Sequence, residues 1–184
     1  MSEEAGIDTS RGTPGRRPKR RAYTEADDAI DFRAEPYRYR IARGEQGVFH
    51  VRPYKDELLP LWRFRTPEVA RAGADALWEK FLAYKAAGDF VGMDMARKVI
   101  QMGFTRARRY ANHAGGRKYA EDGSELPRRE DPVKVESAAV FKAALDRVLA
   151  DPEYRARKAD HLARFERAAA VAAAASDANP TPSR

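Results

Sequence analysis

From Asp89 to Tyr119 the chain reads D-F-V-G-M-D-M-A-R-K-V-I-Q-M-G-F-T-R-A-R-R-Y-A-N-H-A-G-G-R-K-Y, the longest stretch with a helical hydrophobic period and no proline. Its apolar residues are Val91, Met93, Met95, Ala96, Val99, Ile100, Met102, Phe104, Ala107, Tyr110 and Ala111. Turning about 100° per residue, they fill an arc of roughly 220°. An amphipathic surface helix needs an apolar stripe only about half as wide. The segment therefore reads as a central helix covered on more than one side. Gly92, Ala96, Gly103 and Ala107 fall inside the arc and would let neighbours approach closely.

The remaining arc carries Arg97, Lys98, Gln101, Thr105, Arg108, Arg109 and Asn112, with Asp94 as the one acid facing them. From Arg97 to Lys118 there are seven Lys or Arg and no Asp or Glu. Such a face suits phosphate contacts, with neutral hydrogen-bonding side chains between the cations. The opposing reading is a solvated face whose charges pair with acids from neighbouring helices, for which Glu79, Asp146, Glu153 and Asp160 are available. Arg106 projects into the apolar arc at about 160°. It is expected either to snorkel past apolar neighbours or to be buried with a carboxylate.

Charge bounds the partners. The 184 residues carry a net charge of +7, which favours a nucleic acid, an anionic membrane or an acidic protein over a basic one. There is no cysteine, which excludes disulfides and thiolate metal sites. No apolar run is long enough to span a membrane, and the first thirty residues lack the apolar middle of a signal peptide. A cytoplasmic protein is the expectation.

Along the chain, residues 1–28 are polar, lack a hydrophobic period and are expected to be disordered. Six cations between Arg11 and Arg21 make a basic arm, although Glu3, Glu4, Asp8, Glu25, Asp27 and Asp28 offset it. The arm reads equally as a phosphate-seeking tail and as a solubilising one. Tyr37-Arg38-Tyr39-Arg40-Ile41, a turn at R-G-E-Q-G and Val48-Phe49-His50-Val51 together predict a small β-hairpin leaning on the helices. Pro53 to Trp62 holds a helical turn that Pro60 stops.

Thr66-Pro67-Glu68 opens a helix whose stripe is Ala70, Ala74, Leu77, Trp78, Phe81 and Tyr84, and Gly88 closes it. Asp89 then caps the central helix, so the two form a hairpin. That helix is expected to stop near His113, before Gly115-Gly116. Asp131-Pro132 caps a third helix, with Val133, Phe141, Ala144, Leu145, Val148 and Leu149 inward. Asp151-Pro152-Glu153 starts a fourth, with Tyr154, Leu162, Phe165 and Ala169 inward. Residues 172–184 are expected to fray into a disordered tail. The fold predicted is a mainly α, four-helix single domain over residues 29–171, with a small N-terminal β-hairpin and disordered ends.

Three pieces, L-L-P-L-W-R-F-R-T-P-E-V-A, the Asp89–Tyr119 stretch and L-P-R-R-E-D-P, together resemble an uncharacterised bacterial and phage family, domain of unknown function number 4385. The resemblance covers Asp31 to Arg167 and leaves both tails outside. It implies no activity, cofactor or catalytic residue, so it assigns no role to any position.

Enzymatic motifs are sparse. His50, His113 and His161 lie in separate elements without metal-ligand spacing, and read as structural. No cysteine or G-x-S-x-G offers a nucleophile. H-A-G-G-R-K could cradle an anion, but it follows a helix, where the dipole has the wrong sign, and reads as a helix cap. No catalytic residue, metal or cofactor is assigned.

The leading function is a small non-enzymatic nucleic-acid-binding protein, for DNA or RNA, using Arg97, Lys98, Gln101, Arg108, Arg109, Asn112, Arg117 and Lys118. One alternative is a protein-interaction or accessory subunit, with an acidic protein as partner or a structural role for the basic face. The other is an enzyme acting on an anionic small molecule. A binder leaves the patch open, a structural face is covered by carboxylates, and an enzyme needs a concave pocket with perturbed groups. Because the four central cations lie on the polar arc, reversing Arg97, Lys98, Arg108 and Arg109 to Glu is expected to leave the fold intact.

Overall fold

Each start signal in the sequence becomes a helix N-terminus. The computed structural model describes residues 23–41, 46–128 and 130–177, without the side chains of residues 46, 47, 114 and 168–177. The basic arm from Arg11 to Arg21, residues 43–45 of the expected hairpin turn and the last seven residues lie outside that description. The described residues contain five α-helices: α1 (Tyr54–Leu58), α2 (Pro67–Ala86), α3 (Phe90–Asn112), α4 (Pro132–Ala150) and α5 (Pro152–Asp177). The Thr66 hydroxyl accepts from the Val69 amide at 3.4 Å, and the Asp89, Asp131 and Asp151 carboxylates accept from Gly92, Lys134 and Tyr154 at 2.9, 3.2 and 2.9 Å. Each bond satisfies one of the amides a helix start leaves unpaired.

The α2–α3 corner is a tight one. Gly88 adopts a φ of 69°, and the Asp89 amide returns to the Tyr84 carbonyl at 2.9 Å, closing α2 with a glycine turn of the kind only this residue adopts cheaply. The helix α3 packs chiefly between α2 and α4. A Cβ at Gly92 would overlap the Tyr84 ring, and one at Gly103 the Phe141 ring. These two glycines set how closely α2 and α4 approach. Val91, Met93, Met95, Ala96, Val99, Ile100, Met102, Ala107 and Ala111 are buried, as the wide arc predicts.

Coverage ends before the arc does. Tyr110 is exposed, with one side against Phe64 at 6.0 Å between centroids. Val133, Leu149 and Leu162 are exposed at helix ends and edges despite their place in apolar stripes. No described helix is long and apolar enough to cross a membrane.

The N-terminal part departs from expectation. No strand forms among the described residues; Pro36–Arg38 and Gln46–His50 are 3-10 helices. The Tyr-Arg alternation that suggested a hairpin does not put the two tyrosines on one face, because the chain turns here against the helices. Tyr39 is fully buried while Tyr37 is 72% exposed, and the Arg38 and Tyr39 amides bond back to the Glu35 and Pro36 carbonyls. Local turns thus satisfy amides that a partner strand would otherwise have to meet. An isolated parallel bridge between Asp31 and Arg52 is the β-type pairing among the described residues of this part. Residues 23–28, grouped with the tail from sequence, also take part in the fold. Tyr23 is buried against Phe32 and Tyr39, and Glu25–Ala29 is a 3-10 helix.

Candidate functional site

The basic face of α3 divides in two. In its first half, Asp94 is fully buried and holds the adjacent cations. Arg97 donates to Asp94 through Nη2 at 2.8 Å and Nε at 3.1 Å, and its side chain is 11% exposed. Two phenols from distant segments complete the site: Tyr39 Oη donates to Asp94 Oδ2 at 2.5 Å, and Tyr154 Oη to Oδ1 at 2.7 Å. Burial alone would push the Asp94 carboxyl up. Arg97, Lys98 and the two hydroxyls outweigh burial and hold it below the ordinary carboxylate range.

Lys98 is 5% exposed, with Nζ 5.7 Å from the centre of the Tyr39 ring. Burial, with Arg97 and Lys158 nearby, lowers its pKa from 10.5 to about 8 against the pull of Asp94. Neither Arg97 nor Lys98 therefore belongs to an open patch. Reversing them would place new carboxylates against Asp94, so the expectation that the fold tolerates this reversal is corrected. The sequence signal was Asp94 three residues before Arg97, the spacing of a helical ion pair.

In the second half the face stays open. Gln101, Arg108 and Arg109 are exposed and Asn112 is half-buried. Arg108 lies 6.0 Å from the Phe104 ring centre, and neither Arg108 nor Arg109 has a carboxylate partner among the described residues. Beyond the helix, Arg117 and Lys118 are exposed; Lys118 Nζ is 3.8 Å from Glu125, while Arg117 has no described acid partner. Gly115 and Gly116 take φ of 65° and 70°. Gly116 lies against the Tyr110 ring, about half a turn around the helix from Gln101. Arg117 and Lys118 thus follow a bend at the helix end and do not prolong the Gln101–Asn112 strip. Arg106 is half-buried and engaged by a neighbour, between the two placements expected for it.

The three histidines stay apart. His50 Nδ1 lies 3.0 Å from Asp28, His161 Nε2 lies 2.8 Å from the Tyr39 carbonyl, and His113 caps the end of α3 with Nδ1 buried and without a hydrogen-bond partner among the described residues. Among the described residues no group of three or more His, Asp or Glu could hold a metal.

The family described as "Domain of unknown function (DUF4385)" matches residues 22–164, and the chain belongs to it. The match begins beside Tyr23 and includes the buried Asp94 cluster and the open cations. No curated protein and no solved structure matches the chain.

Proposed function

We propose that the protein binds nucleic acid through the cations around the C-terminal end of α3, with Arg108, Arg109, Arg117 and Lys118 meeting phosphates and Gln101 and Asn112 supplying adaptable hydrogen bonds. The observation that carries this reading is the lack of a described carboxylate partner for Arg108, Arg109 or Arg117, in contrast to Arg97. From Thr105 to Arg128 six Lys or Arg stand against three acids. Tyr119, 55% exposed, lies beneath Lys118 with Nζ 5.1 Å from its ring centre. An exposed ring among cations is the combination on which single-stranded bases stack. A cytoplasmic setting goes with such a partner.

Cations at this end also oppose the negative pole of the α3 dipole, and the test separates that role from binding. Affinity of the full chain for a labelled duplex and a labelled single strand is measured across a salt series, beside the variant R108E/R109E/R117E. The basic arm is common to both proteins, so their difference reports the α3 end. The variant is expected to bind more weakly, with the log–log salt slope reduced by about 0.9 for each duplex phosphate it no longer neutralises. Superimposable salt curves for the two proteins would remove the reading and leave the cations a helix-neutralising role.

A further inference from the structure

At the opposite end of α3 a cleft of about 1020 Å³ opens between the start of that helix, the end of α2, the Arg33–Tyr37 segment and one face of α5. The α5 face supplies Arg157, Asp160, His161, Arg164 and Phe165, positions that share one side of a helix by their three- and four-residue spacing. One wall is aromatic. The rings of Phe90, His161 and Phe165 stand in a row, with centroids 4.9 Å apart at each step.

The polar groups of the cleft differ in what they have left to offer. Arg33 is already engaged: it donates to Glu57 at 2.7 Å, lies 3.8 Å from Asp89 and covers the Tyr54 ring at 4.9 Å. Asp89 is engaged too, accepting from the Gly92 amide and, through both oxygens, from the Tyr54 hydroxyl. Arg157 donates Nε to Glu153 at 2.9 Å and Nη1 to the Gly88 carbonyl at 3.1 Å, which leaves Nη2 without a described hydrogen bond. Arg164 and Asp160 have no ion pair among the described residues. A carbonyl only accepts, so His161 donates Nε2–H to Tyr39. Burial holds its pKa below the ordinary value, so the neutral ring keeps Nδ1 as an acceptor.

We propose that this cleft binds a small aromatic anion of the nucleoside monophosphate class. The base lies on the Phe90–His161–Phe165 wall, the phosphate meets Arg164 and the spare nitrogen of Arg157, and a sugar hydroxyl donates to Asp160. The volume suits such a ligand. A bare phosphate leaves the aromatic wall unused, and an uncharged apolar ligand strips water from Arg164 and Asp160 without replacing its hydrogen bonds. The donor to Asp160 is required because an anion placed between two arginines and a bare carboxylate is repelled by the latter. The site stands independently of the cations at the far end of the helix, some 30 Å away along its axis.

The test is calorimetric titration of the full-length protein with the purine and pyrimidine ribonucleoside monophosphates, adenosine and inorganic phosphate. At least one monophosphate is expected to bind with a Kd below about 1 mM, with adenosine and phosphate each at least roughly tenfold weaker. Arg164→Ala and Phe165→Ala are each expected to weaken that monophosphate by about tenfold or more. Circular dichroism verifies that the variants are folded. No monophosphate binding in the millimolar range overturns the assignment. So does undiminished affinity in folded Arg164→Ala, or phosphate alone binding as tightly as the nucleotide.

Discussion

Arg97-Lys98 and Arg108-Arg109 are two pairs of adjacent cations eleven residues apart on one helix. Eleven residues make about three turns, so both pairs occupy the same angular position. One is buried and the other open. Three residues before Arg97 stands Asp94, reached also by Tyr39 and Tyr154. Three residues before Arg108 stands Thr105, whose hydroxyl turns back to the Gln101 and Met102 carbonyls at 3.1 and 3.2 Å. A helical wheel gives the two pairs the same meaning. Their difference shows that a basic stripe becomes a surface only where no acid and no covering segment arrive.

The largest test of that contrast is Asp94→Ala. It leaves Arg97 and Lys98 buried without their counter-charge, and removing one partner from a buried ion pair costs about 3–5 kcal/mol. Denaturant unfolding is expected to show a loss of that size. A near-neutral result would mean that the first half of α3 is no more buried in energetic terms than the second.

A smaller, pH-dependent effect belongs to Lys98. Its folded pKa of about 8 lies below the ordinary 10.5, so between these values the unfolded chain binds the proton more tightly. The burial penalty is fully present below pH 8, and stability rises as pH increases from there to 10.5. The full shift corresponds to about 3 kcal/mol at most. Unfolding curves of the native protein and Lys98→Met, followed from pH 7 to 10.5, should converge as pH rises. Parallel curves would place the Lys98 amine in solvent.

The smallest effect is expected at the open end. R108E/R109E should cost no more than about 1–2 kcal/mol, the helix-dipole share of two exposed charges, because both side chains reach water and lack a described ion pair. A melting midpoint lowered by many degrees would show that the open half also carries structural load, and the contrast would fail.

Much of the fold was legible locally. Thr66, Asp89, Asp131 and Asp151 are caps by residue type and by the proline or apolar period next to each in the chain. Gly88 ends α2, and the wide arc marks α3 as central. The caps and the stop depend on groups within about four residues, the reach of the helix hydrogen bond, and the arc on the period of a single helix. The loss of the hairpin was not legible: a strand would put Tyr37 and Tyr39 on one face, and the Tyr-Arg alternation in the sequence does not record the Pro36–Arg38 turn that buries Tyr39 and leaves Tyr37 exposed. Nor was the fate of the cations. Tyr39 and Tyr154 reach Asp94 from 55 and 60 residues away, and no local pattern records which side chains will arrive there. Residue order alone dictates which segments form helices and which face of α3 is basic. Which half of that face meets solvent is settled by tertiary packing, because the cost of taking a charge out of water depends on everything packed around it.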